Sequence, residues 1–62
     1  MFKEGDKIKV VSVDGSLRFT PFLLGVKGEV IDCVGARTVF IRVLYNHREC
    51  VFIVCDYEIE LI

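Results

Sequence analysis

The side chains best equipped for chemistry are three cysteines, Cys33, Cys50 and Cys55, and the single histidine, His47. Thiolate and imidazole together are zinc ligands, and a thiolate beside an oriented imidazole is a nucleophile. The spacing supports neither. No Cys-x-x-Cys pair occurs, and Cys50 and Cys55 are five residues apart, which on a regular strand puts them on opposite faces. His47 falls in the polar segment Asn46-His47-Arg48, which reads as a solvated hairpin turn, and no residue pattern supplies an orienting group or an oxyanion donor. The nine acidic residues are scattered, and Glu58 and Glu60, which share parity near the end of the chain, read as solvent-facing. No P-loop, GxSxG or HExxH pattern is present. The expectation is a non-enzyme with no catalytic residue, no metal and no cofactor, its cysteines acting as small strand hydrophobes.

Six cations could instead meet nucleic acid: Lys7, Lys9, Lys27, Arg37, Arg42 and Arg48. If they converged near Phe40 they would combine phosphate contacts with a ring for base stacking. The net charge of −1 and a pI of about 5.7 lack the basic excess of a dedicated phosphate binder. Glu29, Asp32 and Glu49 also lie among these cations, so a solvated rim of mixed sign is the first reading and nucleic acid the second-ranked partner.

What must position these residues is an unusually apolar chain: 53% of it is hydrophobic and its mean hydropathy is +0.52. No apolar run approaches the ~20 residues of a membrane span, so a membrane role is not expected. Met1 leads straight into Phe-Lys-Glu-Gly, without the charged and apolar regions of a signal peptide. With an odd number of cysteines, this reads as a cytoplasmic protein with reduced thiols. Sixty-two residues form a single domain, 1–62. At 7.1 kDa the folded surface should be roughly 4,100 Å² against roughly 10,300 Å² unfolded. Apolar burial then contributes roughly 90 kcal/mol, and ordering the chain costs roughly 90 kcal/mol. Such a domain is marginal alone and gains from a partner.

The stretch from Thr38 to Cys55 reads as two strands joined by the three-residue turn Asn46-His47-Arg48. It is apolar on both faces. One set of side chains must face the core, and Phe40, Leu44, Phe52 and Val54 are expected to form a second, cross-strand apolar patch. Before it, Lys7–Val13 reads as a first strand with Ile8 and Val10 inward and a bulge or bend at Val11–Val13. The 17–25 segment, LRFTPFLLG, contains the only proline and has no period. It reads as an ordered loop over one end of the core, either a plug or a binding lip built from Arg18, Phe19 and Phe22. Val26–Val34 reads as the second strand, with Gly28 at a close backbone approach and Val30 in the core. Gly35-Ala36-Arg37 reads as a three-residue hairpin turn, Asp56-Tyr57-Glu58 as a single turn and Ile59–Ile62 as a last short strand. Five short strands without a helical period predict an all-β, five-stranded antiparallel barrel.

Two stretches carry a family resemblance. FKEGDKIKVVS followed by LGVKGEVID is similar to a KOW-type pattern, with Gly25, Gly28 and Val30 as its Gly-x-x-Gly-x-Val element, although the link from Val13 to Leu24 is longer than usual. The closing CDYEIELI resembles the one-turn 3₁₀ segment and final strand of SH3-like barrels. The hairpin IRVLYNHRECVFIV resembles those of small bacterial and phage SH3-like proteins and of the small SH3-like protein of photosystem I. The resemblance implies a single five-stranded SH3-like barrel with a 3₁₀ turn before the last strand. It also implies a non-catalytic adaptor or accessory subunit, of a type common in phages, that binds a protein partner or itself. The absence of tryptophan departs from the aromatic groove of peptide-binding SH3 domains, for which only Phe19, Phe22, Tyr45 and Tyr57 could stand in.

Overall fold

Alternation of apolar and polar residues makes the strands. In the computed structural model, which describes residues 2–62, β1 (Lys7–Val10) buries Ile8 and Val10 and exposes Lys7. β2 (Lys27–Val34), β3 (Thr38–Tyr45), β4 (Arg48–Cys55) and β5 (Ile59–Leu61) follow. One 3₁₀ turn, Pro21–Leu23, lies between β1 and β2, and a second, Asp56–Glu58, lies immediately before β5. Pro21 opens the first of these, a position where its missing N–H is no loss. All neighbouring strands are antiparallel, in one sheet of order β4-β3-β2-β1-β5. Among the described residues β4 and β5 are the edges and do not pair with each other. The sheet is open.

One face carries the core. Ile8 and Val10 of β1, Val30 of β2, Val39, Ile41 and Val43 of β3, Val54 of β4 and Ile59 of β5 are buried there. Leu17 and Leu23, from the segment between β1 and β2, complete it. The total surface is 4207 Å², close to the value expected from chain mass, so a core this size leaves much apolar side chain outside.

Two local departures have identifiable causes. β1 stops at Val10 rather than Val13, because Val11 N–H and Ser12 N–H both donate to the Glu58 carbonyl, at 2.8 and 3.2 Å, and draw the chain off the sheet. The bulge sits in β2, at Ile31, where the register moves from Val30 opposite Ile41 to Asp32 opposite Phe40.

The third departure matters most. The β3–β4 turn has two residues, not three. Tyr45 pairs with Arg48, and Asn46 (φ 53°) and His47 (φ 66°) both adopt left-handed backbone, as a type I′ turn requires. Asparagine and histidine are among the few non-glycine residues that tolerate this region. Shortening the turn by one residue turns every side chain of β4 to the other face.

Gly28 supports the strand contact behind it. A Cβ there would lie 2.6 Å from the Arg42 carbonyl oxygen and 2.7 Å from Val43 Cγ1. A Cβ on Gly15 would instead meet the hydroxyl end of Tyr57, a half-exposed ring. Strand backbone cannot step aside, whereas a ring tip can. Gly28→Ala is therefore expected to lower stability by about 1–3 kcal/mol and Gly15→Ala by clearly less. Urea unfolding of the two variants checks the order, and equal losses would contradict it.

Candidate functional site

Directly opposed residues of an antiparallel pair project to the same side. Opposite the core face, the β3–β4 hairpin therefore presents Phe40 beside Ile53, Arg42 beside Val51 and Leu44 beside Glu49. Leu44 is 66% exposed, Val51 56% and Ile53 51%, with Phe40 half-buried between them. These four apolar side chains form a contiguous outer patch. Arg42 and Glu49 interrupt it at single positions.

The expected patch was Phe40, Leu44, Phe52 and Val54, and the two-residue turn corrects it. Val54 is fully buried, opposite Val39, and Phe52 sits opposite Ile41 and packs against the core. Val51 and Ile53 take their places outside. Phe40 and Leu44 remain on the outer face.

The 17–25 segment divides its residues. Leu17 and Leu23 plug the core. The Phe22 ring packs on Tyr45, with centroids 4.9 Å apart, and Tyr45 projects from the core side of β3, away from Leu44. Phe19 is 81% exposed, with the Arg18 guanidinium 4.8 Å from its ring centroid. Arg18 Nη1 also donates to the Gly15 carbonyl at 3.1 Å. Arg18, Phe19 and Phe22 thus lie apart from the outer patch of the hairpin.

Four of the six cations do converge. Lys7, Lys27 and Arg42 border a shallow recess of about 390 Å³, and Lys9 stands opposite Lys27 in the sheet. Glu29 sits among them, 3.3 Å from Lys7 Nζ and 3.6 Å from Arg42 Nη2, and Glu49 lines the same recess. Arg37 and Arg48 fall in or beside the turns at opposite ends of β3, and Arg37 Nε is 3.8 Å from Asp56 Oδ1. The cross-strand neighbours of Phe40 are Asp32 and Ile53, not cations. The recess is a mixed-sign surface rather than a basic one.

The carboxylate that looked idle is the best-held side chain in the protein. Glu58 is fully buried, which corrects the solvent-facing expectation; Glu60 is exposed. Glu58 Oε1 accepts from Ser16 N–H (3.1 Å) and Cys55 N–H (2.8 Å), and Oε2 from Gly15 N–H and Leu17 N–H (3.0 Å each). A carboxylate offers about four acceptor sites, and all are taken, so none is left for a substrate. Cys55 and Glu58 form a capping box around the second 3₁₀ turn, with cysteine in the place serine or threonine usually holds. The Cys-x-x-Glu spacing at Cys55–Glu58 was the signal in the sequence; the unusual cap residue concealed it.

The thiols lie in separate settings. Cys55 Sγ is 3.3 Å from Ser16 Oγ, while Cys33 Sγ donates to the Phe2 carbonyl at 3.2 Å. Cys50 projects toward the core side, opposite Val43. Partial removal from water, then the hydrogen bond and charge of Cys55, then the carboxylates of Asp14 and Glu58, push the Tyr57 phenol above its ordinary value, so Tyr57 stays a neutral donor. Among the described residues no three His, Cys, Asp or Glu side chains are grouped to hold a metal, and no helix is long and apolar enough to cross a membrane. No protein-family model, curated protein or solved structure matches this chain.

Proposed function

We propose that the chain is a non-catalytic binding module, a small SH3-like barrel that works through protein–protein contact as an adaptor or accessory subunit. The strand order, the one-sided core and the 3₁₀ turn before β5 support the fold reading. The observation that carries the function is the outer face of the β3–β4 hairpin. A sheet with one solvated face ordinarily alternates apolar and polar, yet Phe40, Leu44, Val51 and Ile53 all project from the solvent side. Contiguous exposed apolar surface of this kind marks an interaction site, with an aromatic anchor such as Phe40 supplying much of the binding energy. The mixed-sign recess gives nucleic acid less support, because Glu29 already engages Lys7 and Arg42.

Two outer-face variants test this. Wild type at about 100 μM is expected to associate with itself or to retain a partner from its native extract. Phe40→Glu and Leu44→Lys should weaken that contact at least about tenfold, a loss of roughly 1.4 kcal/mol, with unchanged circular dichroism. Binding that is indifferent to both variants sinks the reading. RNA binding that declines steeply with added salt would favour the nucleic-acid reading instead.

A further inference from the structure

The outer patch is also the flank of an open edge. β4 has only β3 beside it, so half of its main-chain groups face away from any strand. Which half follows from the ladder. Asp56 N–H donates to the Arg37 carbonyl across the end of the hairpin, while Cys55 N–H turns the other way, to Glu58. In an antiparallel pair the hydrogen-bonded positions alternate. Arg48, Cys50, Phe52 and Val54 therefore bond to β3, and Glu49, Val51 and Ile53 direct their N–H and C=O groups outward. These three residues are exposed.

Soluble proteins protect such edges with proline, lysine, a bulge or a very short strand. β5, the opposite edge, has three residues, one of them Glu60. β4 has eight residues, RECVFIVC, with no proline and no lysine, and pairs with β3 without a register shift. Its edge is long, regular and unprotected.

We infer that the occupant of this edge is a second copy of the chain, its β4 running antiparallel to the first about a two-fold axis at Phe52. This rests on the protein-contact reading above and names the partner. The register follows from three requirements. A two-fold axis perpendicular to the sheet keeps outer residues with outer residues. Main-chain bonding needs two outward-directed positions opposite each other. The side chains must also agree. With the axis at Phe52, Val51 faces Ile53 of the second copy, and each of the two such pairs exchanges both main-chain hydrogen bonds. Cys50 faces Val54, the half-covered Phe52 rings meet over both cores, and no like charges are opposed. Arg48 comes opposite Asp56 of the second copy. Asp56 Oδ1 has no hydrogen-bond partner within the chain, and its contact with Arg37 is a long one at 3.8 Å. Shifting the axis to Val51 would set Glu49 against Ile53. The Phe52 register joins two open sheets into one of ten strands and brings the two apolar patches together at its centre.

Amide hydrogen exchange and sedimentation on the intact chain test this. Between about 1 μM and 1 mM, wild type should pass from monomer to dimer, and the amides of Val51 and Ile53 should gain protection while that of Leu44 does not change. Val51→Pro removes an outward N–H and no β3–β4 bond, so it should fold and raise the dimer dissociation constant roughly 30-fold or more. Ile53→Lys, which places a charge beside the seam, is the second variant in case proline distorts the strand. Leu44→Lys, on the outer face but away from the edge, should leave the dimer intact. A chain still monomeric at 1 mM overturns the proposal. So does a dimer lost in Leu44→Lys and kept in Val51→Pro, which would mean packing of outer faces. A monomer whose partner capture still depends on Leu44 would sink the edge dimer alone and keep the binding-module reading.

Discussion

Glu58→Gln is expected to leave the chain largely unfolded at room temperature. Glutamine keeps one acceptor oxygen and replaces the other with an NH₂ group that points at N–H donors. At least two of the N–H groups of Gly15, Ser16, Leu17 and Cys55 then lose their acceptor. An unsatisfied buried donor costs about 1–3 kcal/mol, so the loss is on the order of 3–5 kcal/mol. A domain of this length rarely holds more than about 3–5 kcal/mol in total. The effect also spreads, because the Glu58 main-chain carbonyl anchors Val11 and Ser12 and the 11–17 segment delivers Leu17 to the core. Glu60→Gln, two residues away and exposed, is the control, expected to stay within about 0.5 kcal/mol of wild type. Dispersion of backbone amide NMR signals separates the outcomes. Two equally folded variants would mean that the Glu58 clasp contributes little.

Val54→Lys should abolish the fold, while Ile53→Lys should preserve it. Val54 is fully buried opposite Val39, with no partner in reach for a charge. An unpaired ammonium in that core costs more than about 4 kcal/mol. Ile53 is half exposed on the outer face, where lysine is solvated and the change in folding stability stays within about 0.5 kcal/mol. The comparison is made on dilute, monomeric protein, by thermal melting. With a three-residue turn the faces of β4 would be exchanged and the two results reversed, so the pair of variants reads the hairpin register directly.

That register marks where reading the chain stopped being sufficient. Period two in Thr38–Tyr45 identifies a strand, and it sorts Val39, Ile41 and Val43 from Phe40 and Leu44 correctly, because the alternation is internal to the strand. The same holds for Ile8 and Val10, for Val30, for the Gly35 turn and for the 3₁₀ turn before the last strand. In β4 both faces are apolar, so alternation alone does not say which one is inside. The answer lies in whether the loop is Asn46-His47 or Asn46-His47-Arg48, a difference of one residue. A non-glycine pair with positive φ at both positions is a weak turn signal beside Asn-Gly. The candidate site inherited that ambiguity, with Phe40 and Leu44 legible and Val51 and Ile53 exchanged for Phe52 and Val54.

Taken alone, the chain of residues determined that this protein is all-β, that it is built from five short strands and that it carries more apolar side chain than a single small core encloses. Those properties rest on local periodicity and on the ratio of surface to volume, both of which are present before folding. Only the tertiary structure decided which half of the hairpin faces out, that Glu58 is a buried clasp and that β4 is an open edge. Each of those depends on contacts between segments far apart in sequence, such as Glu58 with Gly15, Ser16 and Leu17, and such contacts leave no trace in the spacing of residues along the chain.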